Sequence, residues 1–157
     1  MGSRVYPEHP FVGVGAVVVY GDRVLLIRRG REPYKGYWAV PGGVQEVGES
    51  LEDAVLRELR EEVGVDGVVE GVVWVDEIIE RDRGGRVKYH YVIVDLLVKP
   101  LSTVLRPSSE VLEAGWFTID EALGLNTVGT VRRMLESFKR CGLSKALPYV
   151  KALVRGG

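Results

Sequence analysis

The segment GVQEVGESLEDAVLRELREEVGV, residues 43–65, joins a glycine-rich loop to a single amphipathic helix. Ser50 belongs to the residue types that cap helix N-termini, and Asp53 three residues later completes a capping pattern. Gly64 is suited to end the helix in a left-handed conformation. The apolar stripe of the helix recurs every four residues and consists of Leu51, Val55, Leu59 and Val63. The pattern predicts a helix of about four turns.

Three glutamates of this helix lie on one face, since residues three and four positions apart are neighbours on a helix. They are Glu58, Glu61 and Glu62. Their like charges repel one another unless a cation joins them, and carboxylate oxygens suit hard cations such as Mg²⁺, Mn²⁺ or Ca²⁺. The alternative interpretation is a solvated acidic face, because glutamate is a good helix former and most charged residues lie at the surface.

The loop before the helix, residues 41–49, contains three glycines. Glycine allows the backbone to approach a ligand closely or to present a carbonyl oxygen to a metal ion. A flexible loop that leads into an acidic helix therefore predicts a site for a metal ion and a phosphate.

The spacing of these residues resembles the Nudix box. The matching positions are Gly43, five residues, Glu49, seven residues, Arg57-Glu58-Leu59, one residue, Glu61-Glu62, one residue, and Gly64-Val65. Every defined position of the family motif is present. The motif spans 23 residues, and a Trp-x-x-Pro-Gly-Gly approach at residues 38–43 extends the resemblance upstream.

The resemblance implies an α/β fold, an α/β/α sandwich with a mixed β-sheet between helices, as a single domain over residues 1–157. It also implies hydrolysis of a pyrophosphate bond in a nucleoside diphosphate linked to a group X, with one to three Mg²⁺ or Mn²⁺ ions. The chemistry agrees, because cations neutralise the pyrophosphate and lower the pKa of an attacking water. The ADP-ribose pyrophosphatase branch is most similar, so we expect cleavage of ADP-ribose to AMP and ribose 5-phosphate.

Two alternative functions stay open. A house-cleaning hydrolase of oxidised or other nucleoside triphosphates carries the same motif. A noncatalytic domain that senses nucleotide sugars is the other alternative, although such a domain would not need the intact glutamates. The ADP-ribose interpretation also departs from its branch at residues 77–83, which lack the proline that many members carry there.

The resemblance assigns roles by position in the motif. The residues assigned to metal binding are Glu58, Glu61, Glu62 and the carbonyl group of Gly42. Arg57 is expected to pair with Glu49 and so to hold the loop against the helix. The general base is left open between Glu58 and two glutamates of a later loop, Glu110 and Glu113.

Basic and aromatic residues outside the motif are candidates for binding the substrate. The loop 30–37, GREPYKGY, is basic and rich in turn residues. Arginine forks match phosphate oxygens, and aromatic rings stack on nucleobases. The candidates are Arg28, Arg29, Lys35, Trp38 and Tyr89. The alternative is that the charges are solvated and the aromatic rings belong to the core.

The rest of the chain predicts strands and a second long helix. Small glycines at positions 13 and 15 within the first strand are expected to admit a close neighbour in the sheet. The expected elements are a hairpin of 11–20 with 23–29, a hairpin of 68–80 with 86–98, a loop over 105–113, a strand at 116–118, a helix over 128–138 and a short helix within 144–154.

Composition narrows the class of protein. The net charge is −1, from 21 basic and 22 acidic residues, so there is no basic field for long nucleic acids. The single Cys141 excludes an intrachain disulfide, and no apolar run is long enough to span a membrane. We expect a cytoplasmic homodimer that binds a small nucleotide. Asparagine and glutamine occur once each, at Asn126 and Gln45, which is typical of thermophile proteins.

Overall fold

The computed structural model describes residues 3–142 and Gly156. The helix predicted within 144–154 lies outside the described residues. Within 3–142 the chain forms seven strands and three helices. In chain order they are β1 (Phe11–Tyr20), β2 (Arg23–Arg29), β3 (Trp38–Ala39), β4 (Gly42–Val44), α1 (Leu51–Val63), β5 (Gly67–Arg81), β6 (Val87–Pro100), β7 (Val111–Thr118), α2 (Ile119–Leu123) and α3 (Gly129–Cys141).

The sheet is built around β1. This strand runs parallel to β6 and antiparallel to β2 and β4. The strand order is β3-β2-β1-β6-β5, with β4 paired to β1 and β7 paired to β2. One parallel pair among antiparallel pairs makes the sheet mixed, as predicted.

Helices cover both faces of this sheet. Successive residues of a strand point to opposite faces, and β1 shows the consequence directly. Ala16 and Val18 pack in the core cluster beneath α1, whereas Val17 between them packs in the cluster beneath α2 and α3. The predicted α/β/α arrangement is therefore confirmed. No helix in the described part of the chain is long and apolar enough to cross a membrane.

Helix α1 has the predicted boundaries. The Ser50 hydroxyl accepts a hydrogen bond from the Asp53 N–H at 3.0 Å. Gly64 closes the helix with φ 68°, a conformation that costs glycine little. A side-chain cap of this kind stabilises a helix by about 1 kcal/mol. The helix start is therefore held in place by local chemistry, and this fixes the position of the glutamates that follow.

Several strands differ from the prediction. Strand β7 begins at Val111, inside the segment expected to be a loop, because residues 111–118 pair with β2 across a register shift at Arg28 and Arg29. The short strands β3 and β4 have no periodicity of their own, and they are strands only because they pair with β2 and β1. The two hairpins formed by β1–β2 and β5–β6 are as predicted, and the second is slightly longer.

Candidate active site

A cavity of about 270 Å³ opens where β4 and α1 meet the sheet. Its wall includes the buried face of α1, with Glu58 and Glu62, and the basic end of β2, with Arg29 and Arg31 beyond it. Apolar side chains complete the wall, among them Val40, Ile78, Ile93, Val128 and Val131. The cavity thus joins acidic, basic and apolar groups, which suits a ligand that has an anionic part and an apolar part.

Arg57 holds the glycine-rich loop against α1. Its Nε donates to Glu49 Oε2 at 2.6 Å, and its Nη2 donates to Glu49 Oε1 at 2.9 Å. The pairing of these two residues is therefore present as predicted, in the bidentate geometry that makes arginine–carboxylate pairs strong. The same guanidinium reaches the Val44 carbonyl at 3.3 Å. The Arg57 side chain thus connects α1 to the loop at two residues, Val44 and Glu49.

Glu62 is the buried carboxylate of α1, and Glu58 beside it is half-buried. Burial raises the pKa of the Glu62 carboxyl well above its usual range, and the nearby charge of Glu58 raises it further. Burial also raises the pKa of the Glu58 carboxyl, although hydrogen bonding to Arg57, at 2.8 Å from Nη1, opposes this. A carboxyl pair in which the charge of Glu58 disfavours ionisation of Glu62 is a site where a cation is stabilised.

The preceding glycines bring the backbone against these carboxylates. The Gly42 N–H donates to Glu62 Oε1 at 3.4 Å. A Cβ atom on Gly43 would overlap the carboxylate of Glu58, so that only glycine fits between β4 and α1 at this point. The contact seen for Gly42 is made by its N–H, and the role of its carbonyl oxygen as a metal ligand stays a prediction.

Glu61 lies apart from the other two glutamates. Its side chain is 59% exposed, and its Oε2 accepts from Arg57 Nη1 at 3.3 Å. Within residues 3–142 the structure shows no group of three acidic, histidine or cysteine side chains already gathered around one metal position. For Glu61 to join the other ligands, it must exchange its contact with Arg57 for the ion.

The residues present fit a divalent cation. Glu62 Oε2 is buried, and no residue in the described part of the chain donates a hydrogen bond to it. A buried oxygen of this kind is costly unless a donor or a cation satisfies it. With Glu58 beside it, the donor set consists of carboxylate oxygens, which hard cations such as Mg²⁺ and Mn²⁺ prefer.

The fold places only one of the two later glutamates, Glu110 and Glu113, at the cavity. Glu110 lines the cavity, and its Oε2 pairs with Arg31 Nη2 at 2.8 Å. Glu113 pairs with Arg28 Nη1 at 3.0 Å and is not among the residues that line the cavity. The structure therefore keeps Glu110 and Glu58 beside the cavity as candidate bases, whereas Glu113 does not contact it.

The structure places the predicted substrate-binding residues in different parts of the molecule. Arg29 lines the cavity and is half-buried, whereas the neighbouring Arg28 is not among the lining residues. Lys35 and Tyr89 line a second cavity of about 260 Å³. Trp38 packs edge-on against Phe117 at 5.2 Å, as a core residue does, and lines neither cavity.

Tyr34 and Asp95 of the cavity wall escaped prediction. Asp95 is buried in β6, where a charged residue interrupts the apolar run YVIVDLLV. That interruption was a readable signal, because aspartate is rarely fully buried unless it has a partner or a function. Tyr34 gave no such signal, because aromatic residues are common in cores.

Known proteins similar to this chain share the motif and the fold. A NUDIX domain model matches residues 9–138. The chain is 32% identical over 112 residues to an ADP-ribose pyrophosphatase of Methanocaldococcus jannaschii, covering 71% of this chain and 64% of that protein. It is 32% identical over 100 residues to the human 8-oxo-dGDP phosphatase, covering 61% of this chain and 28% of that protein.

Among solved structures, a MutT NUDIX hydrolase from Burkholderia pseudomallei superimposes with a TM-score of 0.73 at 34% identity. The match covers 82% of this chain and 98% of that protein. The family model spans most of the chain, and Gly43, Glu58 and Glu62 of the motif line one cavity. The chain belongs to the Nudix hydrolase family.

Proposed function

We propose that this protein hydrolyses a pyrophosphate bond in a nucleoside diphosphate linked to a group X, using Mg²⁺ or Mn²⁺. The observation that carries the proposal is a carboxylate pair, buried Glu62 and half-buried Glu58, that lies against the Gly42-Gly43 backbone at a cavity also lined by Arg29. The pair suits a cation, and Arg29 suits a phosphate oxygen. A pyrophosphate brings both requirements together.

ADP-ribose is the substrate that we propose first. The similarity to an ADP-ribose pyrophosphatase over 71% of the chain supports it. Oxidised nucleotides are the second candidate, because the chain is also similar to an 8-oxo-dGDP phosphatase. A noncatalytic sensor is disfavoured, since the buried and mutually repelling carboxylates have a cost that binding a nucleotide sugar alone would not require.

The residues of the site have different proposed roles. Glu58, Glu62 and Glu61 would hold one to three ions, and a bound ion neutralises the pyrophosphate and lowers the pKa of the attacking water. Arg57 positions Glu58 through its 2.8 Å contact and fixes the loop through Glu49.

Two groups of the cavity wall would contact the substrate directly. Burial lowers the pKa of the Arg29 guanidinium, yet arginine keeps its charge in proteins and can bind a phosphate oxygen. Glu110, oriented by Arg31 at 2.8 Å, would accept the proton of the attacking water. Glu58 is the alternative base, and an ion bound to its carboxylate would compete with that role.

The experiment is a substrate panel with Mg²⁺ and with Mn²⁺. It compares ADP-ribose, dinucleotides, capped RNA, nucleoside triphosphates and 8-oxo-dGTP. We expect metal-dependent release of AMP and ribose 5-phosphate from ADP-ribose. Turnover of none of these compounds contradicts the enzymatic proposal, whereas preference for 8-oxo-dGTP selects the second candidate.

Glu62→Gln tests the role of the carboxylate pair. The amide keeps the shape of Glu62 but removes the charge that holds a cation, so kcat is expected to fall on the order of 100-fold or more, with the fold intact. Asp53→Asn, an exposed acidic change at the start of the same helix, is the matched control. Unchanged turnover in Glu62→Gln would show that the metal assignment is wrong.

Other expectations stay predictions. They are the homodimer, the cytoplasmic location, the thermophile source and the number and identity of the metal ions.

A further inference from the structure

Asp95 is a buried carboxyl group that the proposed chemistry does not use. It lies near the middle of β6, is 2% exposed and contributes to the cavity wall. Its neighbours across the sheet are Gly15 of β1 and Trp74 of β5. Asp95 thus reaches the cavity from the floor of the sheet, whereas Glu58 and Glu62 reach it from α1.

The carboxylate of Asp95 has no partner among the residues that the structure describes. Among residues 3–142, no group donates a hydrogen bond to it or forms an ion pair with it. The nearest charge is that of Asp76, which repels it and is itself paired with Arg133 at 2.6 Å. A buried polar group without a partner is expensive and rare. The cavity is where donors can reach it, from water or from a ligand that displaces the water.

Gly15 makes room for this carboxyl group. A Cβ atom at position 15 would overlap Asp95 Oδ1 and would lie 2.8 Å from a methyl group of Val40. The glycine predicted to admit a close neighbour in the sheet therefore admits Asp95. The space that a side chain would fill in β1 is given to a carboxylate at the cavity wall.

The surroundings of Asp95 suit a nucleobase better than a phosphate. A phosphate would be repelled by the carboxylate, whereas the flat faces of a base can pack on apolar side chains such as Val40, Ile78 and Val131, which line the same cavity. Tyr91, four residues away on the same face of β6, adds an aromatic ring to this wall.

We propose that Asp95 selects the nucleobase of the substrate by accepting hydrogen bonds from the N–H donors of the base. This inference rests on the proposed function, since it assumes that the cavity binds a nucleotide. Adenine offers its N6 amino group, and guanine offers N1–H together with its N2 amino group. The two bases present the same donor chemistry, and the experiment separates them.

The test measures binding of nucleoside monophosphates to the full chain by isothermal titration calorimetry in Mg²⁺. One arm compares AMP with purine riboside monophosphate, which lacks the N6 amino group. The other arm compares GMP with IMP, which lacks the N2 amino group. In at least one arm, the wild-type protein is expected to bind the amino-bearing member on the order of 10-fold more tightly.

Two variants separate recognition from structure. Asp95→Ala removes the acceptor, so the preference should fall to about onefold in the affected arm. Asp95→Asn offers one acceptor and one donor, so it should keep an adenine preference but lose a guanine preference, because its amide N–H groups face the donors of guanine. Asp66→Asn, an aspartate outside the cavity that pairs with Arg60 at 2.8 Å, is the matched control.

Three outcomes overturn the inference. The wild-type protein shows no preference for an amino-bearing base in either arm, or the preference survives in Asp95→Ala. Alternatively, Asp95→Ala changes the ratio of AMP to 2′-deoxy-AMP affinity, which would make the ribose hydroxyl the donor. Because binding is measured without turnover, these results are distinct from failure of the hydrolase proposal, which the substrate panel reports separately.

Discussion

Asp95→Asn is expected to stabilise the folded protein, by an amount that depends on pH. Burial raises the pKa of the Asp95 carboxyl from its usual 3.8 to about 7, and the charge of Asp76 adds to this. The asparagine amide resembles the protonated acid in shape and lack of charge. The difference between variant and wild type therefore isolates the cost of burying the negative charge.

The direction in which the free energy of unfolding changes with pH follows from proton binding. Between about pH 4 and about pH 7 the folded wild-type chain keeps a proton on Asp95 that the unfolded chain has lost, so its free energy of unfolding falls as the pH rises. Below this window both states are protonated, and above it both are ionised. The displacement from 3.8 to about 7 corresponds to about 4 kcal/mol. The asparagine variant does not lose this free energy of unfolding as the pH rises.

Urea denaturation of both proteins, from about pH 4 to about pH 8, measures the effect. The two proteins should have nearly equal free energies of unfolding at the acidic end, and the variant should be more stable by about 4 kcal/mol at the alkaline end. A difference that is constant with pH would refute the reasoning, because it would mean that the pKa of Asp95 is ordinary. A wild type that is more stable at pH 8 would point to a hidden partner of the carboxylate.

Two further substitutions test the close packing and the loop anchor. Gly15→Ala would force its methyl group onto the Asp95 carboxylate, so chemical denaturation should show a loss of about 1–3 kcal/mol, whereas Gly129→Ala, with open space around it, should be neutral or slightly stabilising. Arg57→Lys replaces a fork by a point charge and should lower kcat on the order of 10-fold or more, whereas Arg60→Lys at an exposed single pair should not; equal effects of the two lysine variants would contradict the anchoring role.

The local elements were predictable because their signals lie within short stretches of chain. Helix α1 carries its own cap at Ser50, its apolar stripe and its C-terminal Gly64, so its boundaries were read correctly. The hairpin of β1 and β2 was read equally well from β-branched runs on either side of a two-residue turn. Strands β3 and β4 escaped because two or three residues have no periodicity, and only pairing with distant strands defines them.

The start of β7 shows the same limit. Residues 111–113 were predicted to belong to a loop, yet they lie in β7, which pairs with β2 across a register shift. The pairing joins segments more than 80 residues apart, and no local pattern records it.

The candidate site shows the same difference between residues predicted from local spacing and residues placed by distant pairing. Spacing alone placed Glu58, Glu61 and Glu62 on one face of α1 and paired Arg57 with Glu49, because a helix converts sequence distance directly into spatial neighbourhood. The strands and loops offered no such rule. Among the basic, acidic and aromatic candidates there, only folding decided that Arg29 and Glu110 line the cavity while Arg28, Glu113 and Trp38 do not.

Asp95 shows most clearly which properties of the site the sequence predicts and which ones only the tertiary structure decides. Its place in an apolar run could be read from the chain, but the absence of a partner, the opening at Gly15 and the nearby cavity arise from strands that meet only in the tertiary structure. Residues adjacent in a strand point to opposite faces, and which face meets the cavity depends on the register between distant segments. The motif therefore identified the bond to be broken, and the folded sheet supplied the carboxyl group proposed to choose the base.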